Sequence, residues 1–394
     1  MDANAPARDP NHEKYGLRGS VALPEGIHLV MAPDAYPDKP AERDRWILGR
    51  RGNRHLLNPR RPHAFFLEPE PDETGRLLSC ATIFLTNREC PWRCLMCDLW
   101  QNTLTESVPP GAIPAQIEFA LSSLSQANPD TASPLDPANS LSSRRVRRGP
   151  GRGGPSSTAV APVDQIKLYN SGSFFDPRAI PPGDHPAIAR QIRGFGRVVT
   201  ECHPALINES AVRFRDLLDG KLEIAIGLET AHPPTLEKLN KRMTLDQFSF
   251  AAEFLRRHAI ALRVFLLVQP PFIPDPAEAL EWARRSVTFA FDCGAAVVSL
   301  IPTRAGNGAL EELARGGQFA PPTLATFETA LAEGLATRRG RVFADLWDLN
   351  AFSRCAACFP ARQERLAKMN LSQRIEPDIA CAVCNGSNRP MAHA

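Results

Sequence analysis

The chain has 394 residues, of which 43% are apolar, so it can bury the core of one large domain or two ordinary ones. This composition excludes collagen-like, fibrous and wholly disordered chains. Lysine and arginine number 46 and aspartate and glutamate 43, and the resulting net charge of +3 does not by itself indicate a nucleic-acid partner. The first residues lack a signal-peptide pattern and no apolar run is of membrane-spanning length, so we expect a cytoplasmic protein with no membrane partner.

Residues 1–74 are the predicted N-terminal extension, which is partly basic. Between Ala41 and Pro62 this extension carries seven arginines beside Trp46 and His55, against two acidic residues. Arginines with an interleaved aromatic suit contacts with phosphates and stacked bases. The segment therefore favours an RNA partner, with a solvated run of charges as the alternative.

Short apolar runs alternate with helical patterns over residues 75–310. Six runs of strand length begin at Cys80, Gln165, Arg197, Leu222, Ala261 and Ala295. Several are apolar almost throughout, which is typical of parallel strands covered on both faces. Thr244 and Gln247 fit a capping box at the start of one intervening helix. Six such βα units predict an α/β fold, either an open doubly wound sheet or a partial barrel.

Residues 126–163 interrupt this pattern after the first strand and its helix. The segment is rich in proline, serine, alanine and glycine, and it contains an arginine-rich run at 144–152. Such a composition cannot bury enough apolar surface to offset the entropy lost on ordering. We therefore predict a disordered insertion, which is either a linker or a basic arm for phosphate backbones.

Three cysteines, Cys90, Cys94 and Cys97, follow the first predicted strand. The carboxyl end of a strand is where α/β proteins place their active sites. A four-iron cluster needs four ligands, usually thiolates, so three local cysteines would leave one iron open for another ligand. A zinc ion completed by a histidine is the alternative, although zinc sites normally pair two short knuckles.

The spacing of these cysteines resembles the signature of the radical S-adenosylmethionine (SAM) superfamily. The resemblance implies a partial (β/α)6 barrel of the TIM type, with a [4Fe-4S] cluster on the three cysteines and SAM on the open iron. It also implies that SAM is cleaved by one electron to a 5′-deoxyadenosyl radical, which takes a hydrogen atom from the substrate. No side chain is then needed as a catalytic base. Many members carry an aromatic residue before the third cysteine, where this chain has Met96.

The resemblance also implies SAM contacts at other strand ends. The turn at 170–173 resembles the glycine-containing turn that receives the SAM amino group. In the elongator-type branch, a residue placed like Glu229 meets the ribose and a cation placed like Arg242, or alternatively Lys241, meets the carboxylate. A surface ion pair is the other interpretation of these charges. His203, Arg304 and Asn307 are substrate-side candidates at further strand ends. The predicted SAM-binding residues are Asn170, Ser171, Gly172, Ser173, Glu201, Glu229, Lys241 and Arg242.

Two further cysteine pairs lie in the predicted C-terminal region, residues 311–394. Cys355 and Cys358 are separated by 22 residues from Cys381 and Cys384. Four thiolates without a vacancy describe a closed tetrahedral site, which predicts zinc in a zinc-ribbon-like tail. An auxiliary iron–sulfur cluster, as in radical enzymes that modify peptides, is the alternative.

Longer strings are similar to the family that contains the radical SAM subunit of archaeosine synthase. They are Ile83–Pro91, Leu95–Trp100, Pro302–Gly308 and Phe343–Leu349. The similarity implies a 7-deazaguanine-type base in tRNA as substrate, an electron donor of the flavodoxin or ferredoxin type, and a partner transferase subunit. Two alternatives stay open, a radical SAM peptide modifier with an auxiliary cluster and a non-catalytic zinc-ribbon RNA-binding protein.

Overall fold

A computed structural model describes residues 35–126 and 163–386. The first 34 residues lie outside this part, as does the predicted insertion apart from its two end residues. The disorder predicted for that insertion therefore stays a prediction. Within the described ranges, no helix combines the length and apolar content needed to cross a bilayer.

Eight strands and the helices around them make up the described fold. The strands are β1 (Ala64–Pro71), β2 (Leu77–Phe84), β3 (Gln165–Tyr169), β4 (Arg197–Glu201), β5 (Lys221–Glu229), β6 (Ala261–Val268), β7 (Val297–Pro302) and β8 (Arg341–Ala344). The α-helices are α1 (Pro40–Leu48), α2 (Ala112–Gln126), α3 (His185–Gln191), α4 (Glu209–Arg215), α5 (Pro233–Lys238), α6 (Leu245–Arg257), α7 (Pro276–Asp292), α8 (Ala309–Arg315), α9 (Leu324–Ala336), α10 (Phe359–Ser372) and α11 (Ala382–Gly386).

The sheet follows the chain, with its strands in the order β1 to β8. Strands β2 to β8 are parallel to their neighbours, whereas β1 pairs with β2 in antiparallel fashion. The six predicted strands are β2 to β7, and the predicted α/β partial barrel is confirmed. The order is open, with β1 and β8 at its two edges, so the barrel does not close through strand pairing in the described residues.

The two edge strands were missed by the sequence patterns. Strand β1 contains Pro69 and Pro71, which weaken any strand signal but are tolerated at a sheet edge, where no neighbour needs their missing N–H. Strand β8 is only four residues long. Strand β1 lies within the stretch assigned to the N-terminal extension, and it extends the sheet beyond the predicted units.

Helix α6 shows how local sequence positions a helix on the sheet. The Thr244 hydroxyl accepts from the Gln247 N–H (3.2 Å), and the Gln247 amide oxygen accepts from the Thr244 N–H (3.0 Å), so the predicted capping box is confirmed. Phe248 and Leu255, on one face of the helix, are both fully buried in the main core. The helix thus covers one outer face of the barrel.

A second, smaller core lies beneath the cysteine loop. Trp46 and Ile47 of α1 pack there with Leu95 of the loop and with Leu310 and Leu313 of α8. Leu95 has no exposed surface. The loop is therefore held by apolar packing from two helices that are distant in sequence.

The barrel interior is charged toward the amino ends of the parallel strands. Arg263 lies 2.5 Å from Glu70 and 2.6 Å from Glu223, and Lys167 lies 2.6 Å from Glu70. Burial alone would raise the pKa of Glu70, but Arg263 and Lys167 outweigh it and hold that pKa well below its usual range. Paired charges therefore fill this end of the barrel, where apolar layers are the norm.

Candidate functional site

The three-cysteine loop leaves the carboxyl end of β2 and is tied to two other strand exits. The Leu95 N–H donates to the Leu239 carbonyl (2.9 Å), beyond β5. The Asn240 amide donates to the Arg93 carbonyl (2.8 Å), and the Asn307 amide, beyond β7, donates to the Leu95 carbonyl (2.7 Å). These bonds hold the loop over the barrel mouth.

The loop thiols are partly buried and lie within electrostatic range of one another. Burial raises the pKa of Cys94 to about 12, and it also raises the pKa of Cys90 and of Cys97. A metal centre that binds these sulfurs would displace their protons, because the thiolate is the ligand form. Among the described residues, the one group of side chains close enough to surround a single ion lies elsewhere, at the C-terminal cysteines. A cluster spaces its thiolates more widely, because each binds a different iron.

The predicted turn after β3 lies directly against the cysteine loop. A Cβ atom on Gly172 would lie 3.2 Å from the Cys90 Cβ, so glycine permits this contact. Ser171 takes a positive φ of 52°, and the Ser173 hydroxyl accepts from the His203 N–H (2.9 Å). Asn170 is fully buried, and neither polar atom of its amide has a partner. An unpaired buried amide is a donor and acceptor available to a ligand.

Glu201 supports this turn from the end of β4. One oxygen of its carboxylate accepts the N–H groups of Asn170 (2.5 Å) and Gly172 (3.3 Å). Burial raises the pKa of Glu201, while those hydrogen bonds lower it. The side chain predicted to contact SAM thus shapes the backbone of the turn.

Glu229 and Lys241 form an ion pair at the end of β5. The Lys241 Nζ lies 2.5 Å from the Glu229 Oε1, and their side chains are 12% and 9% exposed. Burial opposes the charge of Lys241, but Glu229 and then Cys94 favour it, so its pKa is raised. A Cβ on Gly227 would lie 2.1 Å from the Glu229 Oε1, so glycine makes room for the pair. The Glu229–Lys241 pair is therefore largely buried and is not a surface ion pair.

Arg242, the other predicted cation, points elsewhere. It lies 2.9 Å from Asp44 of α1, donates to the Pro40 carbonyl and is 39% exposed. Of the two adjacent cations, the structure brings Lys241 to Glu229 and the cysteine loop, and it ties Arg242 to the N-terminal helix.

The remaining strand-end candidates have partners within the chain. His203 stacks on Trp92 (3.7 Å between ring centroids), its Nε2 lies 2.9 Å from the Lys241 carbonyl, and its Nδ1 accepts from the Ala205 N–H. Burial and the Lys241 charge lower the pKa of His203 to about 3, so the ring is neutral. The side-chain oxygen of Asn307 accepts hydrogen bonds from two backbone N–H groups at the start of α8. This residue therefore anchors the start of that helix.

Two arginines of the N-terminal segment and one of the cysteine loop bind Glu89, immediately before the first cysteine. Arg51 and Arg93 lie 2.7 and 3.1 Å from the Glu89 carboxylate, and Arg54 also donates to it. The Glu89 side chain is 10% exposed and that of Arg51 7%. These contacts were not predicted, because the arginines were read as a basic RNA surface. Only the accumulation of arginines ahead of the loop could have indicated them.

The C-terminal cysteines meet as the sequence predicts for a metal site. The ligand atoms of Cys355, Cys358, Cys381 and Cys384 all lie within 4.8 Å of one another. The Cys355 and Cys381 sulfurs are 3.9 Å apart, and those of Cys358 and Cys384 are 3.7 Å apart. Four thiols this close can hold a metal ion.

No protein-family model matches the chain. It is 29% identical over 170 residues to archaeosine synthase subunit beta of Methanosarcina acetivorans, which covers 41% of this chain and 49% of that protein. It is also 29% identical over 165 residues to an uncharacterized protein of Methanocaldococcus jannaschii, which covers 40% of this chain and 45% of that one. The chain therefore spans less than half the length of these curated relatives.

Among solved structures, the chain is similar to the radical SAM methyltransferase TsrM from Kitasatospora setae, with a TM-score of 0.38 and 14% identity over 59% of this chain and 39% of that one. Methylornithine synthase matches with a TM-score of 0.35 and 12% identity over 46% of this chain and 50% of that one. The predicted resemblance to the archaeosine synthase family is confirmed by the relatives that carry that name.

Proposed function

We propose that this chain is a radical SAM enzyme that holds a [4Fe-4S] cluster on Cys90, Cys94 and Cys97. The observation that carries the proposal is the position of the three-cysteine loop, which lies at the barrel mouth against the turn at 170–173. The donor set fits the group, because three thiols are present and the buried amide of Asn170 lacks a partner. When bound and reduced, the cluster would supply the electron that cleaves SAM to methionine and a 5′-deoxyadenosyl radical.

The residues around the loop suit the binding of SAM. Gly172 lets the backbone of the turn approach closely, and the Asn170 amide offers a donor and an acceptor to the amino and carboxylate groups. Glu229 would accept the ribose hydroxyls, and Lys241 would bind the carboxylate. The tie between Arg242 and Asp44 favours Lys241 over Arg242 in this role. Glu201 and His203 would position the turn and Lys241 without touching SAM.

The four C-terminal thiols would hold zinc. A tetrahedral zinc site with bonds of about 2.3 Å separates its sulfurs by about 3.8 Å. The two observed separations, 3.7 and 3.9 Å, match that edge length. An auxiliary iron–sulfur cluster would need wider spacing, so this geometry does not favour the peptide-modifying alternative.

The substrate would be a 7-deazaguanine-type base in tRNA. This part of the proposal is supported by the similarity to proteins named archaeosine synthase subunit beta. The word subunit in those names also supports a partner transferase subunit. An electron donor of the flavodoxin or ferredoxin type would reduce the cluster, and a cytoplasmic location would suit all three partners.

Reductive cleavage of SAM tests the radical chemistry. The anaerobically reconstituted chain, reduced with dithionite, should bind about four iron ions and one zinc ion and release 5′-deoxyadenosine. Cys94→Ser should abolish that release, whereas Cys293→Ser, at the carboxyl end of α7 beside Ser249 of α6, should not. A wild-type chain that binds zinc but yields no 5′-deoxyadenosine would favour the non-catalytic RNA-binding alternative.

Mass spectrometry of tRNA nucleosides tests the substrate. Cells without this protein should lack one modified base that reappears when the wild-type gene, but not the Cys94→Ser variant, is returned. An unchanged nucleoside profile would contradict the tRNA substrate while leaving the radical chemistry to the SAM assay.

A further inference from the structure

The four strings that resemble the archaeosine synthase family converge at one place in the barrel. Arg304, beyond β7, lies 2.8 Å from Asp345, beyond β8, and donates to the Trp347 carbonyl (2.6 Å). The Trp347 ring lies 6.4 Å from that of Phe84, which ends β2. The string that holds the last cysteine joins them, because the Asn307 side-chain amide donates to the Leu95 carbonyl (2.7 Å). Residues from three strand exits and the cysteine loop thus share one site.

Aromatic rings line this place on the inner side of the barrel. The Phe66 ring of β1 lies 5.7 Å from Trp347 and 6.1 Å from Phe84, and Tyr169 of β3 lies 5.8 Å from Phe84. The strand exits place these rings next to the candidate SAM site, since Tyr169 directly precedes the turn at 170–173. We call Phe66, Phe84, Tyr169, Phe265 and Trp347 the ring chamber.

The rings of Tyr169 and Phe265 close the ring chamber on the side of the barrel interior and form its floor. Tyr169 of β3 and Phe265 of β6 approach to 6.0 Å, although β4 and β5 separate their strands in the sheet. A contact between strands that are not neighbours must cross the barrel interior. The next inward side chains toward the amino ends are the charged Lys167 and Arg263. The floor therefore separates the paired charges from the space at the barrel mouth.

The exposure of these rings distinguishes them from core residues. Phe174, Phe214 and Phe248 on the outer side of the sheet are completely buried, whereas the four phenylalanine and tyrosine rings of the chamber are partly exposed. Trp347 is 42% exposed. Large rings that stay partly exposed inside a barrel leave their faces available to a ligand.

A polar edge adjoins the rings. The Arg304 Nε is buried and has no hydrogen-bond partner, so it can donate to a ligand. The Asp345 carboxylate beside it accepts from Arg304 and from the Trp347 N–H (3.1 Å), and each of its oxygens keeps a lone pair for a further donor. A guanine-type base presents a carbonyl oxygen next to two adjacent N–H donors, whereas an adenine-type base presents one donor group and a ring acceptor. The two oxygens of a carboxylate match the pair of donors.

We propose that the ring chamber stacks a planar guanine-type base, and that Arg304 and Asp345 select it by its edge. This inference rests on the proposed function, since it assigns the base-binding residues of the same site. Stacking on aromatic side chains is sequence-tolerant, so the rings supply affinity and the polar edge supplies the choice of base.

Equilibrium dialysis of the reconstituted full-length chain with 7-deazaguanosine tests the chamber without requiring catalysis. Trp347→Ala should weaken binding about tenfold or more, and Trp347→Phe should restore most of it. Trp282→Ala is the matched control, because that ring packs on His232 at the surface of α7. Asp345→Asn should remove the preference for 7-deazaguanosine over 7-deazaadenosine.

The outcomes separate this inference from the proposed function. Equal affinities of Trp347→Ala and Trp282→Ala, or an unchanged base preference in Asp345→Asn, would overturn the chamber. Absence of 5′-deoxyadenosine from the wild-type chain would overturn the radical chemistry without changing the dialysis result. If Trp347→Ala does not show the wild-type melting transition, Trp347→Phe is tested in its place. Because phenylalanine keeps a ring for stacking, a tenfold loss of affinity in Trp347→Phe would count against stacking.

Discussion

The contact between Glu89 and three arginines predicts that the N-terminal segment controls the cysteine loop. In Glu89→Gln the side chain keeps its shape but loses the charge that Arg51, Arg54 and Arg93 share. Removing one partner of a buried pair costs about 3–5 kcal/mol, and glutamine retains a hydrogen-bond acceptor, so we expect a loss of about 2–4 kcal/mol in the free energy of unfolding. We also expect less iron per chain after reconstitution, because the loop loses its anchor beside Cys90.

Urea unfolding followed by circular dichroism, together with iron analysis, measures both effects. Glu253→Gln is the matched control, since Glu253 pairs with Arg256 and Arg257 on the exposed face of α6. An exposed pair of this kind contributes little, so the control should behave as the wild type. If Glu89→Gln unfolds and binds iron like Glu253→Gln, the Glu89 contacts do not hold the loop.

Three further predictions concern the SAM site, the barrel interior and the C-terminal metal. Gly227→Ala places a Cβ 2.1 Å from the Glu229 Oε1, so it should separate Glu229 from Lys241 and weaken SAM binding about tenfold or more in equilibrium dialysis; unchanged affinity would remove the pair from the SAM site. The pKa of Glu70 is depressed in the fold, so its stabilisation is complete above the unfolded pKa of about 4.3 and is lost as the pH falls toward the folded value. The free energy of unfolding should therefore fall less steeply between pH 6 and pH 3 in Glu70→Gln than in the wild type, and parallel curves would contradict this. Cys358→Ser should abolish zinc binding while leaving iron on the cysteine loop, and a variant that retains one zinc ion per chain would refute the tetrahedral site.

Local sequence patterns were sufficient to predict the strands with a regular burial pattern and the helix with a capping motif. Strands β2 to β7 read as continuous apolar runs because both of their faces are covered. The start of α6 followed from two side chains three residues apart. Strand β1 was not predicted because its apolar run at 64–67 is followed by alternating glutamates and prolines, which oppose a strand signal. Only its place at a sheet edge makes the prolines acceptable.

The sequence by itself also determined which residue types could hold metal, since the cysteine spacings are local. Only the tertiary structure decided which charges meet. Glu229 pairs with Lys241 and not with its neighbour Arg242, because the backbone directs adjacent side chains to different surroundings. Arg51 reaches Glu89 across 38 residues, which no local pattern records. An ion pair depends on distances that are set by the packing of whole elements. Burial periodicity, in contrast, can be recognised from the order of residues along the chain.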